Sequence, residues 1–183
     1  PTRRSSDLAT QTSTYWMPIY RSKDLVNWEY QKTAFTQATK PSLSGGGAFW
    51  APEMQYINGK YVLYFSWAKM NGADVSYTAV AVSDSPLGPF PNSKALITNE
   101  EFGSNAIDQF YYEENGKKYM FFGSFKGIYV TELTDDGLSV KRDAKGKPVL
   151  KKQICGNLFE GTNIYKKNGY YYLFASDRKS TRL

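Results

Sequence analysis

The sequence predicts an all-β protein with the architecture of a β-propeller, and three observations carry this prediction. Aromatic residues make up 16% of the 183 residues, beside 15 Gly and 8 Pro, a composition that favours strands and turns. Related segments recur three times along the chain. The repeat length of about fifty residues is typical of a propeller blade, which holds four antiparallel strands.

The recurring segments read NGKYVLYFSW from Asn58, NGKKYMFFGSF from Asn115 and NGYYYLFAS from Asn168, at spacings of 57 and 53 residues. Asn-Gly is the strongest short hairpin signal, because a type I′ turn needs positive φ at both central positions. The strand after each turn is dense in Tyr, Phe, Leu and Val. This density predicts strands buried on both faces.

Each unit contains three further predicted strands. An apolar strand precedes each Asn-Gly turn, at 53–57, 107–112 and 160–165. A third strand ends in a polar turn, at 19–24, 79–84 and 128–135, and Asp24 and Asp84 are interpreted as turn-forming residues. A fourth, edge-like strand follows, at 29–36, 94–98 and 149–154. A β-sandwich built from hairpins is the alternative fold, but the repeated order of elements disfavours it.

Composition excludes several classes of function. The chain has no His, which excludes Ser-His-Asp catalysis, Cys-His catalysis and His-ligated zinc within these residues. The single Cys155 cannot form an internal disulfide, and no apolar run is long enough to span a membrane as a helix. Of the net charge of +6, residues 1–8 and 178–183 carry +1 and +3, which leaves +2 between them. This distribution disfavours nucleic-acid binding.

Acidic residues lie on the predicted first strand of each unit. Glu53, Asp108 and Glu160 precede their Asn-Gly turns by 5, 7 and 8 residues. First strands are innermost in a propeller, so the three carboxylates are expected to line one axial funnel. Crowded acids raise one another's pKa, which keeps one protonated as a general acid, and two carboxyl groups across a bond suggest glycoside hydrolysis. Trp50 could stack on a sugar ring, and core packing is its alternative role.

Several ordered motifs between about Tyr15 and Ser176 resemble glycoside hydrolase family 43. They are 17–28 (MPIYRSKDLVNW), 49–53 (FWAPE), 105–108 (NAID) with 123–125 (GSF), and 159–161 (FEG) with 169–176 (GYYYLFAS). The motif at 105–108 with 123–125 corresponds to the third blade of the family and is similar to that of endo-acting arabinanases. The resemblance implies a five-bladed propeller, of which about three four-stranded blades are expected here, so that the chain is an internal fragment.

The resemblance also implies roles for individual residues. The family inverts anomeric configuration with three carboxylates, so Glu160 would be the general acid and Asp108 the residue that tunes its pKa. The general base would be an Asp on an innermost strand before Tyr15, and no residue here matches it. The expected substrate-binding residues are Trp50, Glu53, Asn105, Ala106, Ile107, Ser124 and Phe125.

Three positions depart from the family pattern. Gln109 and Thr162 stand where Pro is usual, and Glu53 where Asp is more frequent. Proline there would fix φ on an inner strand, so its absence is expected to relax the local geometry. Neither Gln109 nor Thr162 replaces a reacting carboxyl group.

The function implied by the resemblance is hydrolysis of a plant cell-wall polysaccharide, foremost as an arabinan endo-1,5-α-L-arabinosidase. The alternatives are a β-xylosidase, an α-L-arabinofuranosidase, or a non-catalytic carbohydrate-binding propeller. Arabinan or arabinoxylan is the expected partner of a secreted or periplasmic monomer. The chemistry requires no cofactor. A structural calcium ion is known in the family, but its ligands are not identifiable here.

Residues 15–176 are therefore expected to form a partial catalytic propeller domain. The segment 1–14 is interpreted as a non-native or disordered end plus the start of the first blade, and 177–183 as a non-native end.

Overall fold

The computed structural model describes residues 16–44, 47–69 and 75–177, which form twelve strands and one short helix. In chain order the strands are β1 (Pro18–Arg21), β2 (Glu29–Thr33), β3 (Ala48–Ile57), β4 (Lys60–Ala68), β5 (Ser76–Ser83), β6 (Lys94–Thr98), β7 (Phe110–Glu114), β8 (Lys117–Phe122), β9 (Ile128–Leu133), β10 (Lys151–Cys155), β11 (Phe159–Lys167) and β12 (Tyr170–Asp177). Helix α1 (Asn99–Phe102) connects β6 to β7. The predicted all-β class is confirmed.

The strands form two complete four-stranded sheets and two hairpins, all antiparallel. One sheet has the order β3-β4-β5-β6 and the next has the order β7-β8-β9-β10. In the hairpins, β1 pairs with β2 and β11 pairs with β12. A sheet whose strands follow one another in chain order is the meander of a propeller blade. The three predicted units are thus distributed over two whole sheets and two half sheets.

The Asn-Gly dipeptides form the predicted tight turns. Asn58 and Gly59 have φ of 49° and 79°, and the same pair of positive angles recurs at Asn115 and Asn168 with their glycines. Each turn is a two-residue loop that joins the first strand of a sheet to the second, as between the paired residues Ile57 and Lys60. Positive φ at both central residues matches the right-handed twist of a hairpin.

The other predicted turns are also present. Asp24 accepts hydrogen bonds from the backbone N–H groups of Val26 and Asn27 at 2.9 and 2.8 Å, so its carboxylate closes the loop between β1 and β2. Asp84 follows β5 directly and forms an ion pair with Lys60. The interpretation of Asp24 as turn-forming is confirmed, whereas Asp84 lies in the bend after β5 but its carboxylate pairs with Lys60 at the start of β4.

Two details of the strand prediction are wrong. β7 begins at Phe110 rather than Ile107, because Asp108 has a left-handed backbone with φ of 55° that cannot continue a strand. β12 is exposed along its length rather than buried on both faces. Among the described residues β12 pairs only with β11, so its apolar side chains Tyr172, Leu173 and Phe174 lack a covering strand.

The core lies between stacked sheets and forms two clusters, one on each face of β4. One cluster, which includes Val62, Tyr64 and Met120, fills the space between the two complete sheets. The other, which includes Phe35 and Phe65, joins the first complete sheet to the β1–β2 hairpin. Burial of each large side chain contributes roughly 1.5–3 kcal/mol. The alternating residues of β4 therefore hold its neighbours in place on both sides.

Helix α1 sets the path of the chain from the first complete sheet to the second. Thr98 caps its first turn by accepting from the Glu101 N–H at 3.2 Å, and Gly103 ends it with a left-handed backbone. Phe102 is buried and packs edge-on against Phe122 at 5.1 Å between ring centroids. Arg142 binds both carboxylate oxygens of Glu101, at 2.6 and 3.0 Å. These contacts fix where residues 104–108 enter the second sheet.

Within the described residues, none of the helices has the length and apolar character needed to cross a bilayer.

A pair of glycine substitutions tests the contact between the sheets. Gly137 accepts a hydrogen bond from the buried Tyr64 hydroxyl at 2.9 Å, and a Cβ at Gly137 would lie 2.5 Å from Tyr64 Oη and 2.8 Å from Ile57 Cδ1. Gly146 has a similar positive φ, 76° against 73°, but open space around it. We expect Gly146→Ala to lower the free energy of unfolding by about 1 kcal/mol, the cost of the backbone conformation alone. Gly137→Ala should cost roughly 1–3 kcal/mol more, because the methyl group overpacks a rigid core.

Urea unfolding of both variants measures this difference. Equal losses for the two alanines would contradict the close packing of Gly137 against Tyr64.

Candidate active site

Asp108 lies at the junction of the two complete sheets, two residues before β7. Its backbone N–H donates to the Ser66 hydroxyl of β4 at 3.0 Å, and the preceding Ile107 carbonyl accepts from the Gly123 N–H at 2.9 Å. The left-handed conformation of Asp108 costs about 1–2 kcal/mol for a residue with a side chain, so contacts such as these must hold it. The carboxyl group is therefore carried by a fixed backbone.

The left-handed backbone recurs at the same point of each inner strand. Ala51, Asp108 and Gly161 all lie seven residues before the Asn of their hairpin turn, with φ of 43°, 55° and 65°. In β3 and β11 the strand register shifts at this point, between Trp50 and Glu53 and between Glu160 and Asn163. β3 and β11 thus contain a bulge at this point, whereas β7 begins two residues after its left-handed residue and pairs with β8 in regular register. A bulge re-aims the adjacent side chains, and such irregularities are frequent next to active sites.

Glu160 lies at the start of β11, beside the second complete sheet. Its Oε2 accepts from the buried Ser124 hydroxyl at 3.0 Å, and Ser124 and Glu160 also pair as an isolated β-bridge. The backbone N–H of Phe125 donates to the Phe159 carbonyl at 3.1 Å. The loop 123–127 therefore joins the second sheet to β11 and orients the Glu160 carboxyl group.

Asp108 and Glu160 interact electrostatically across this junction. Burial raises the pKa of Asp108 from its ordinary 3.8 to about 6, with a further contribution from the negative charge of Glu160. Desolvation and a nearby like charge both favour the neutral form of a carboxyl group. The structure therefore brings together two of the three predicted acids, and burial favours the protonated form of Asp108.

Glu53, the third predicted acid, contacts a different group. Both of its carboxylate oxygens accept from the backbone N–H of Tyr111 in β7 at 3.0 Å, and Gln55 donates to Oε1 at 3.1 Å. Burial is the main reason that the pKa of Glu53 is raised. Glu53 lies two residues after the left-handed Ala51 of its strand, whereas Asp108 is itself the left-handed residue and Glu160 directly precedes the left-handed Gly161. Its carboxylate consequently joins the two sheets.

The remaining predicted substrate-binding residues lie in or near the connection 103–109 between α1 and β7. Asn105 donates through Nδ2 to the Ser124 carbonyl at 2.6 Å. Ala106 is fully buried, and its N–H donates to Ser76 Oγ at 2.9 Å. Trp50 is partly exposed on β3 and pairs with Ser66, the residue whose hydroxyl contacts Asp108. Phe125 is partly exposed with a left-handed backbone. These residues therefore surround the loop segments that carry the two acids.

Two residues without a predicted role also lie at this junction. Ser66 and Gln109 are buried and hydrogen-bonded to one another, with the Ser66 hydroxyl donating to Gln109 Oε1 at 2.9 Å. The departure of Gln109 from the family pattern is the signal that could have identified it. Ser66 lies within the apolar strand β4 and carries no such signal, because its role depends on a partner 42 residues away.

The general base expected before Tyr15 lies outside the described residues, as do the ends at 1–14 and 178–183. β12 extends to Asp177, one residue past the domain boundary placed at 176. Across residues 16–44, 47–69 and 75–177, no three His, Cys, Asp or Glu side chains are grouped so as to hold a metal ion. No chemical step is assigned to a metal ion.

Stacked four-stranded meander sheets define the class of a β-propeller. The sequence matches the glycosyl hydrolases family 43 over residues 5–182, and the chain belongs to that family. The predicted resemblance and the propeller fold are confirmed. Glycosidases of this family act without a cofactor.

Individual relatives have different activities. The chain is 31% identical to the extracellular endo-α-(1→5)-L-arabinanase 1 of Bacillus subtilis (strain 168), over 86% of this chain and 50% of that protein. It is 29% identical to a β-D-galactofuranosidase of Aspergillus niger, over 93% of this chain and 50% of that protein. The solved structure of the endo-1,5-α-L-arabinanase from Thermotoga petrophila RKU-1 in complex with TRIS matches with a TM-score of 0.68 at 25% identity, over 87% of this chain and 43% of that chain. The chain spans about half the length of the curated relatives it matches.

The raised pKa of Asp108 predicts how stability depends on pH. The folded state holds the Asp108 proton up to about pH 6, whereas the unfolded state releases it near pH 3.8. The free energy of unfolding should therefore fall as pH rises between these values. Asp108→Asn stays neutral and lacks this decline, so its stability relative to the wild type should improve by roughly 1–3 kcal/mol between pH 4 and pH 7.

Urea unfolding at pH 4 and pH 7 measures this change. Asp136→Asn serves as the control, because a hydrogen bond from Thr134 lowers the pKa of Asp136. The stability of this variant relative to the wild type should therefore change with pH in the opposite direction. An Asp108→Asn difference that does not vary with pH would refute the coupling of Asp108 to its surroundings.

A matched pair of threonines tests the inner strand that carries Glu160. The Thr162 side chain is buried, and its Oγ1 has no hydrogen-bond partner among the described residues. Thr78 is also buried, but its Oγ1 donates to the Ala106 carbonyl at 3.1 Å. Thr162→Val should raise the free energy of unfolding by about 1 kcal/mol, since it removes an unsatisfied hydroxyl. Thr78→Val should lower it by roughly 1–3 kcal/mol, since it leaves a buried carbonyl unpaired.

Thermal or urea unfolding distinguishes the two valines. Destabilisation of the same size in both would show that the Thr162 hydroxyl has a partner in solution.

Proposed function

We propose that the protein hydrolyses glycosidic bonds with inversion, using Glu160 as the general acid and Asp108 as its electrostatic neighbour. The observation that supports this proposal is the position of the two carboxyl groups at the start of adjacent inner strands, close enough for the charge of Glu160 to act on Asp108. A glycosidase needs a carboxyl group that keeps its proton near neutral pH while a second carboxylate activates water.

Glu160 is suited to proton donation by its hydrogen bond. The Ser124 hydroxyl donates to Oε2, which leaves Oε1 to carry the proton that passes to the leaving oxygen. Ser124 is itself fixed, because its carbonyl accepts from Asn105 Nδ2. Transfer of the proton leaves a negative charge on Glu160. Asp108 lies close enough to interact electrostatically with that charge.

The water nucleophile requires a third carboxylate on the opposite face of the sugar. In an inverting enzyme the acid and the base are about 6.5–9.5 Å apart, which leaves room for the attacking water. We propose that this base is the Asp expected before Tyr15. The aromatic residues Trp50 and Phe125 would bind the sugar through ring stacking, beside the polar Asn105.

The proposed substrate is arabinan, with arabinoxylan as a related polymer. The support is the similarity to the arabinanases of Bacillus subtilis and Thermotoga petrophila described above. The galactofuranosidase relative shows that activities vary at comparable identity. β-Xylosidase and α-L-arabinofuranosidase activities are therefore the alternatives within the same chemistry. A panel of debranched arabinan, arabinoxylan, aryl β-xyloside and aryl α-L-arabinofuranoside separates them.

A non-catalytic carbohydrate-binding propeller is the alternative from another class. It would keep the aromatic residues and lack the base. Binding of arabino-oligosaccharides without turnover by the full-length protein would favour this alternative. We propose that the protein acts outside the cytoplasm as a monomer, since the Bacillus subtilis relative is named extracellular and its substrate class is polymeric.

Substitution of Glu160 tests the assignment of the acid. Glu160→Gln keeps the shape and the hydrogen bond from Ser124 but has no proton to donate. In the full-length protein that contains this chain, kcat on debranched arabinan should fall by about 10²–10⁴-fold with KM nearly unchanged. The matched control is Glu132→Gln on β9, which removes the ion pair between Glu132 and Lys141.

The control should keep wild-type turnover. Near-normal kcat in Glu160→Gln would disprove its role as the acid, and equal losses in the two variants would indicate a general effect on folding.

A further inference from the structure

We propose that Gln109 and Ser66 are positioning residues that lock the backbone of Asp108 to the neighbouring sheet and thereby set the geometry of the acid pair. The expected effect of this link on catalysis rests on the proposed function. The link itself is a chain of three hydrogen bonds between the first and second complete sheets. It runs from Asp108 through Ser66 and Gln109 to Ala51.

The direction of each hydrogen bond in this chain is determined by chemistry. The Ala51 carbonyl can only accept, so the Gln109 side chain must present Nε2 to it. This orientation places Oε1 at 2.9 Å from the Ser66 hydroxyl, which must therefore donate its single proton to Gln109. The Ser66 oxygen then has only lone pairs for the Asp108 N–H, 3.0 Å away. No other assignment satisfies all three contacts.

Burial makes this chain of bonds important for the local structure. Ser66 is 0% exposed and Gln109 is 7% exposed. Water cannot replace a lost partner at such positions, so the loss of one bond leaves a buried polar group unpaired. The neutral amide of Gln109 also satisfies a donor and an acceptor at once, which neither a carboxylate nor an aliphatic side chain can do.

Gln109 joins the two left-handed residues of adjacent inner strands. Ala51 has φ of 43° and Asp108 has φ of 55°, and both conformations need external support. Gln109 binds the carbonyl of the first directly and fixes the N–H of the second through Ser66. The link therefore ties the bulge beside Trp50 to the backbone that carries the Asp108 carboxyl group.

The equivalent positions in the other inner strands make no such link. The residue after the left-handed position is Pro52 in β3 and Thr162 in β11, and the Thr162 hydroxyl has no partner among the described residues. The Gln109 link is thus specific to the strand that follows Asp108. Among the described residues, Glu160 is the charged side chain that acts on Asp108, and the groups that approach Asp108 from β4 and β7 are neutral.

The experiment uses the full-length protein with Gln109→Leu, Ser66→Ala and Gln109→Glu. Gln31→Leu is the matched control, because its amide donates to a backbone carbonyl on β2, away from the acids. The readouts are kcat, KM and the pH profile of kcat/KM on debranched arabinan, together with ¹³C NMR titration of the Asp108 carboxyl group. Unfolding curves confirm that each variant is folded.

Gln109→Leu and Ser66→Ala should lower kcat by about 10–100-fold with KM changed less than about threefold, because Asp108 is displaced rather than removed. The titration midpoint of Asp108 should move by at least about half a pH unit in both variants. In Gln109→Glu it should move upward, since a negative charge is added beside Asp108. Gln31→Leu should change none of these quantities.

Wild-type kcat, pH profile and Asp108 titration in a folded Gln109→Leu variant would overturn the inference. The NMR titration separates this result from failure of the proposed function. If the wild type hydrolyses no glycoside but Gln109→Leu still moves the Asp108 midpoint, the positioning link stands and only the hydrolase function fails. If Gln109→Leu does not fold, Gln109→Glu and Ser66→Ala decide between the two outcomes by the same titration.

Discussion

The structure depends on the burial of both faces of β4. Side chains that alternate along this strand enter two different cores, with Val62 and Tyr64 facing the second complete sheet and Phe65 facing the β1–β2 hairpin. A strand that is apolar on both faces must be covered on both, so neighbouring sheets stack face to face around it. Stacking aligns the inner edges of the sheets. The starts of the inner strands, where Asp108 and Glu160 lie, are consequently neighbours.

The same stacking gives the two acids their chemistry. Asp108 is buried at a sheet junction, where desolvation and the nearby Glu160 raise its pKa to about 6. The backbone around the acids is in turn held by side chains of adjacent sheets, through Ser66 for Asp108 and through Ser124 for Glu160. Sheet packing and acid–base chemistry are therefore coupled. A change that shifts one sheet against the next also changes the distance between the two carboxyl groups.

The arrangement requires left-handed residues at the start of the inner strands, and this backbone conformation is energetically unfavourable. Ala51 and Asp108 adopt a conformation that a residue with a side chain rarely occupies, and each depends on hydrogen bonds from another sheet. Strained residues of this kind persist at functional sites because contacts with the surrounding structure hold them in that conformation. Glu53 provides a further bond between the sheets, since its buried carboxylate accepts from the Tyr111 N–H.

The sequence by itself determined the strands, the Asn-Gly turns and the acids of the site, because these follow from local patterns: alternation, turn chemistry and motif order. It could not determine which acids meet, or that β7 begins only at Phe110. Those outcomes depend on bonds between residues far apart in the chain, 42 positions for Ser66 and Asp108 and 58 for Ala51 and Gln109. Only the stacked sheets bring such residues within hydrogen-bonding distance, so the tertiary structure alone decided that Asp108 pairs with Glu160 while Glu53 binds the backbone of β7.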